Sequence, residues 1–168
     1  IGNIHSFFEA NLELTKDLPA FDLLDSNRTI YTRPRMLPPA KISGTTLEKA
    51  LVAEGSIIHA SRLEHSVIGI RSRIGHGTTI VSSYLMGSDY YETLEEIESA
   101  AKDGTPPLGV GERCYIHNAI LDKNVRIGND VRIDGGSHLE NADHELYTVK
   151  DGIVVVKKGA ILPSGFVI

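Results

Sequence analysis

Along most of this chain a branched aliphatic residue returns every five or six positions. The series runs Leu47, Val52, Ile58, Leu63, Ile68, Ile74, Ile80 and Leu85, then resumes as Val110, Ile116, Leu121, Ile127, Ile133 and Leu139. Residues six apart fall on opposite sides of an α-helix, so helical packing cannot use this spacing. A period of two would serve a single strand, but the return of one aliphatic per hexad is the mark of a hexapeptide β-helix, in which three short strands make one triangular coil. Each coil then points its aliphatics at the axis and completes its core with those of the coils above and below. An ordinary β-sandwich of short strands is the competing architecture, and the hexad return argues against it.

The pattern is also an internal repeat. Leu63–Ile80 (LEHSVIGIRSRIGHGTTI) aligned on Ile116–Ile133 (IHNAILDKNVRIGNDVRI) matches Leu63 to Ile116, Val67 to Ile120, Ile68 to Leu121, Arg73-Ile74-Gly75 to Arg126-Ile127-Gly128 and Ile80 to Ile133. Gly69, Gly75, Gly77 and Gly128 suit the corners of such coils. Three segments depart from the repeat. Ile4, Phe7, Phe8 and Asn11 stand at helical spacing behind a capping Asn3, which predicts a helix over Ile4–Lys16. Leu18–Lys41 carries Pro19, Pro34, Pro38 and Pro39 and reads as an extended linker. Thr93–Asp103 reads as a helix inserted into the repeat: Thr93 and Glu96 form a capping box, Leu94, Ile97 and Ala101 share a face, and Gly104 with Pro106-Pro107 ends it. The expected organisation is a helix and linker over residues 1–41, then a mainly β domain, a parallel β-helix, over 42–168 with one helical insertion at 88–107.

Composition agrees with a narrow aliphatic core. The 168 residues include 18 Ile, 16 Leu and 11 Val but only 6% aromatic residues and no Trp. Large rings fit poorly inside a thin triangular coil. With 17 Lys and Arg against 22 Asp and Glu the net charge is −5, and no long basic run appears, which argues against a nucleic-acid surface or a polybasic membrane anchor. No apolar stretch approaches the roughly 20 residues of a membrane-spanning helix. Cys114 stands alone, so neither an intrachain disulfide nor a cysteine-based zinc site is expected, and a reducing compartment fits. The chain opens on Ile1 rather than Met, and Ile1–Lys16 lacks the features of a signal peptide; it is expected to begin inside a longer polypeptide.

Candidate chemistry is sparse. Seven His stand at positions 5, 59, 65, 76, 117, 138 and 144, and hexapeptide β-helices include acyltransferases that use a His base, yet no His is paired with an orienting carboxylate at a defined spacing. No H-x-x-x-H or E-x-x-H metal pattern occurs. Asp22, Asp25, Asp143 and Glu145 are near-neighbour carboxylates best explained as solvated loops. Gly109-Val110-Gly111 is a lone G-x-G followed by a hexad rather than a helix, so it makes no phosphate loop. What remains is a scatter of cations: Arg28, Arg33 and Arg35 in the linker, Lys123 in the second repeat copy, and Lys157-Lys158 near the C-terminus.

Several longer strings carry a resemblance. Ile30–Lys41 (IYTRPRMLPPAK), Glu64–Arg73 (EHSVIGIRSR), Met86–Thr93 (MGSDYYET), Leu121–Gly128 (LDKNVRIG) and Gly152–Ile168 (GIVVVKKGAILPSGFVI) together resemble, in order and spacing, the C-terminal part of the ADP-glucose pyrophosphorylases (glucose-1-phosphate adenylyltransferases), closer to the cyanobacterial and plant type than to the enteric one. The resemblance covers nearly the whole chain. It implies a left-handed β-helix that carries subunit contacts and allosteric control in a nucleotidyltransferase making ADP-glucose and pyrophosphate from ATP and glucose 1-phosphate, with Mg²⁺, for glycogen or starch synthesis.

The catalytic domain of that family, with its Gly-rich nucleotide loop, has no counterpart here, and the family's metal-binding Asp would immediately precede Ile1. This chain alone is therefore expected to be inactive. Matched motif to motif, Lys123 and Lys158 fall on the family's activator-binding lysines and Arg35 on an anion-contacting arginine. Arg33 stands where relatives carry Gln. The implied partners are the catalytic domain of the same polypeptide, other subunits of a tetramer, and an anionic sugar-phosphate or phosphoglycerate effector, in a bacterial cytoplasm or a plant plastid. The alternatives are a hexapeptide-repeat acyltransferase and a catalytically silent regulatory subunit.

Overall fold

In the computed structural model, which describes residues 2–168, the hexad aliphatics face inward. Ile58, Leu63, Ile68, Ile74, Ile80, Ile116, Leu121, Ile127 and Ile133 are fully buried and form one continuous core along the axis of a three-sided, left-handed parallel β-helix. Face 1 stacks Lys41–Ile42, Ile57–Ile58, Arg73–Ile74, Gly109–Val110, Arg126–Ile127 and Ile161–Leu162. Faces 2 and 3 are joined because Thr46–Val52 and Arg62–Ile68 run through the corner between them as single strands. Face 2 continues through Thr79–Val81, Tyr115–His117 and Arg132–Asp134. Face 3 continues through Tyr84–Leu85, Ala119–Leu121 and Ile153–Val156.

Equivalent residues of neighbouring coils are 16 or 17 apart, as in the bonds from Ser72 N to Ser56 Oγ and from Ser83 N to Ser66 Oγ. A second inward column, two residues before each aliphatic, holds small residues. Ser56, Ser66, Ser72, Thr78 and Ser83 are buried there. All of their hydroxyls except that of Ser72 accept a backbone N–H of the next coil, as Thr78 Oγ1 does from Cys114 N at 3.0 Å. A buried backbone donor left without a partner would cost about 1–3 kcal/mol. Apolarity alone does not reveal this column, because half of it is polar.

The corners need left-handed backbone. Lys49, His65, Ser82 and Asn118 adopt positive φ at the corner between faces 2 and 3, and Gly77 (φ 73°) and Asp130 (φ 58°) at the one between faces 1 and 2. Of the four glycines expected at corners only Gly77 serves this conformational role. Gly69, Gly75 and Gly128 are required for close approach instead: a Cβ on Gly69 would lie 2.5 Å from the Met86 carbonyl, and one on Gly128 2.5 Å from Ser164 N.

The coil is left twice. The first excursion carries α2 (Leu94–Lys102), whose Thr93–Glu96 capping box forms as expected, and stretches the coil-to-coil offset to 36 residues. Ile97 and Ala101 turn toward face 1, whereas Leu94 on the first turn is left in solvent. The second excursion, which the hexad spacing does not separate from the repeat, is a hairpin: Ala142–Asp143 and Tyr147–Lys150 pair antiparallel and extend face 3 beyond Ile153–Val156. Leu139 lies in it, half-buried against the core's flank, and is not an axial residue.

Helix α1 (Ile4–Glu13) is capped by Asn3, whose Oδ1 accepts from Ser6 N at 2.8 Å, and it ends one turn before the expected Lys16. Phe8 and Leu12 bury against Ile120 and Ile153 on the outside of face 3. The adjacent pair Ile120-Leu121 is thereby explained: Leu121 points to the axis and Ile120 to the helix. Between α1 and Lys41 the chain is irregular apart from one 3₁₀ turn at Ser26–Arg28. It is anchored where Pro38 O accepts from Gly55 N at 2.7 Å.

Axial and outward aliphatics should differ sharply on mutation. Ile116→Ala is expected to cost about 2–5 kcal/mol in urea unfolding, while Ile161→Ala, on the exterior of face 1, should stay within about 1 kcal/mol of the parent.

Candidate functional site

The corner between faces 3 and 1 stacks Gly55, Arg71, Gly87, Asn124 and Gly159, all with positive φ. Lys123 and Lys158 precede the last two of these. Their backbones are in register, with Gly159 N donating to Lys123 O at 2.9 Å, so the two lysines stand on one edge with their backbones a single coil spacing, about 4.8 Å, apart. Between them sits a carboxylate. Lys123 Nζ lies 2.6 Å from Asp89 Oδ1 and Lys158 Nζ 3.9 Å from Asp89 Oδ2.

Asp89 is held there by Asn124, whose Oδ1 accepts from Asp89 N at 2.8 Å and whose Nδ2 donates to Asp89 Oδ2 at 3.1 Å. The hydrogen bond from Lys123 holds the Asp89 carboxyl below the usual carboxylate range against the opposing effect of burial; Asn124 and the more distant Lys158 add to the lowering. The group is thus ionised at neutral pH and loses its pairing only when the pH falls below that range. An anion is already chelated by two lysines and an amide, and it happens to be part of the protein.

Of the three residues expected to act together, the structure joins Lys123 and Lys158 and leaves Arg35 apart. Arg35 lies exposed in the linker, without a polar side-chain partner among the described residues. Three residues later the linker meets the same corner at Gly55, three coils before Lys123. Lys157 is directed elsewhere: its Nζ pairs with Asp143 at 2.8 Å and donates to His144 O in the hairpin, which leaves the more exposed Lys158 as the member of the pair that reaches Asp89. Sequence patterns do not single out Asp89 and Asn124, although both stand inside recognisable strings, MGSDYYET and LDKNVRIG. Nothing in their spacing announces a contact 35 residues apart.

The excursion that delivers Asp89 is pinned by a buried ion pair. Glu92, with 4% of its side chain exposed, meets Arg126 Nη1 at 2.6 Å, accepts Leu108 N at 2.7 Å through its other oxygen, and Arg126 also donates to Pro106 O at 2.8 Å. Arg71 stacks over Tyr91 at 5.6 Å, and the Tyr91 hydroxyl donates to Gly55 O at 2.9 Å. Both ends of the excursion are therefore tied to the coil.

One expectation about histidine is overturned. His117 Nδ1 lies 3.0 Å from Asp134 Oδ1, a His–carboxylate pair invisible in sequence because its members sit 17 residues apart on adjacent coils. Burial pushes the Asp134 carboxyl up, but bonds from His117 and Arg132 together outweigh it and leave it lowered. The pair belongs to a surface network on the outside of face 2 in which Arg132 binds Asp134 at 2.7 Å and stacks on Tyr115 at 4.5 Å. Cys114 is buried, with its thiol pushed up by that burial. Among the described residues no three His, Cys, Asp or Glu gather as a metal site requires, and no helix is long and apolar enough to cross a membrane.

The coil architecture is that of hexapeptide-repeat left-handed β-helices, and residues 35–167 match the family model of the GlgC left-handed parallel β-helix domain. The chloroplastic/amyloplastic small subunit of glucose-1-phosphate adenylyltransferase from Triticum aestivum is 43% identical over 171 residues, an alignment that covers 100% of this chain and 36% of that protein. The chain belongs to the ADP-glucose pyrophosphorylase family, as its β-helix domain.

Removing the buried partner of Arg126 tests how the excursion is held. Glu92→Gln is expected to cost on the order of 3–5 kcal/mol, and amide exchange should accelerate first in Leu94–Lys102. An unchanged exchange rate there would show that the ion pair does not anchor the excursion.

Proposed function

We propose that this chain is the regulatory and subunit-contact part of a nucleotidyltransferase that forms ADP-glucose and pyrophosphate from ATP and glucose 1-phosphate, with the chemistry and its Mg²⁺ in a catalytic domain outside the chain. Family membership supports the reaction. The observation that carries the regulatory role is the convergence of Lys123 and Lys158 on one carboxylate. Two ammonium groups that reach one carboxylate match an effector with two or more negative charges, such as a sugar phosphate or phosphoglycerate.

In this reading Asp89 is the internal competitor. The effector displaces it from Lys123, and Arg35, three residues before the linker's anchor at Gly55, closes on the same anion. An effector that binds one arrangement of linker and β-helix more tightly than another shifts the balance between them, by the ratio of its two affinities and no more. The other subunits of a tetramer and the catalytic domain of the same polypeptide are the partners that would feel the shift. A plant plastid or a bacterial cytoplasm is the compartment proposed.

Substitutions on either side of the contact should act in opposite directions. In the complete enzyme, Lys123→Ala is expected to raise the activator concentration for half-maximal activation by about tenfold or more, the loss of one charge-assisted hydrogen bond. Lys158→Ala should act in the same sense. Asp89→Asn should lower that concentration, because it removes the competing charge while keeping the contact with Asn124. If all three variants titrate like the parent, the effector assignment fails.

A further inference from the structure

A groove of about 570 Å³ runs between α2 and face 1. Its floor is the backbone of Gly75, Gly111 and Gly128, where no side chain fits: a Cβ on Gly75 would lie 2.7 Å from the Gly111 carbonyl, and one on Gly111 2.5 Å from that of Gly128. The α2 wall presents Ile97 and Ala101, and Pro107 continues it. The opposite rim carries Arg73, His59 and His76, which the pairing of Ile57-Ile58 with Arg73-Ile74 brings together on adjacent coils. The two imidazoles stack with centroids 4.6 Å apart and planes at 25°.

This rim is polar and unsatisfied. His59 Nδ1 is buried without a hydrogen-bond partner. Every other arginine of the coil is engaged: Arg62 with Glu48 and Glu64, Arg113 with Glu112 and Asp130, Arg126 with Glu92, Arg132 with Asp134, and Arg71 on Tyr91. Arg73 has no such partner among the described residues. Glu112 is the one carboxylate on the groove, and Arg113 Nη1 holds it at 2.9 Å. The groove thus pairs a polar rim, with a guanidinium free of ion pairs and an unpartnered imidazole nitrogen, against an apolar wall, in a volume suited to a small metabolite.

We propose that this groove binds a phosphate ester, its phosphoryl group on Arg73, His59 and His76 and its carbon body along Ile97, Ala101 and Pro107. A guanidinium presents a fork of donors to phosphoryl oxygens, and the apolar wall favours an ester over a bare anion. The site shares no lining residue with the Lys123–Asp89–Lys158 cluster, so it stands independently of the effector reading.

Calorimetric titration of the whole chain with phenyl phosphate and with inorganic phosphate tests it. Phenyl phosphate is expected to bind saturably, at least tenfold more weakly to Arg73→Gln and to Ala101→Asp, both exposed positions that leave the core intact, and unchanged to Lys123→Ala. The proposal is overturned if phenyl phosphate shows no saturable binding, or if the two groove variants bind like the parent. It is equally overturned if Lys123→Ala abolishes binding. Inorganic phosphate binding as tightly as phenyl phosphate would rule out the ester class.

Discussion

Everything in this structure depends on the stacking of one coil on the next. An axial aliphatic has only half its neighbours within its own coil; the coils above and below provide the rest. The gradient along the axis shows it: Leu63, Ile80, Ile116 and Ile133 are wholly buried, whereas Ile42 and Leu47, in the first coil with nothing stacked beyond them, are 40% and 45% exposed. The same closeness accounts for Gly75, Gly111 and Gly128, whose missing side chains let the backbones meet, and for the buried hydroxyls of Ser66, Thr78 and Ser83, which take up the amides that such packing removes from water.

A stack of this kind converts distance along the chain into a ruler. Residues one coil apart in sequence are brought to strand spacing on the surface, so cations that read as scattered become a cluster. Lys123 and Lys158 meet in this way, as do His59 and His76, and His117 and Asp134. The two excursions add what the ruler cannot. They leave at corners, where a break in hexad timing does not disturb the axial column, and one of them returns Asp89 to the lysines and lays α2 over the groove. Glu92 and Arg126 secure that return, in a setting where each charge would be costly without the other.

Much of the coil is legible in the residue pattern. The spacing of Ile58, Leu63, Ile68, Ile74, Ile80, Ile116, Leu121, Ile127 and Ile133 marks them as axial, and all are buried. The Thr93 capping box and the Asn3 cap are contacts of three residues' span, local enough to be read as strings. The hairpin escapes such a reading because Leu139 falls on the hexad count by coincidence of spacing. Close approach, and not a corner conformation, is what Gly69, Gly75 and Gly128 provide; a need for positive φ and a need for close approach both appear in sequence simply as Gly.

The sequence by itself determined the period, the three-sided coil and the family, because a core of one aliphatic per hexad is written residue by residue. Only the tertiary structure decided what the charges do. Whether a lysine faces solvent, a hairpin or a carboxylate depends on groups 13 to 34 residues away that no local pattern links to it, as with Lys157 and the His144 carbonyl or Lys123 and Asp89. Coil stacking and the return of the excursions settle those meetings. The candidate site and the groove beside α2 both arise there, at contacts between coils rather than within them.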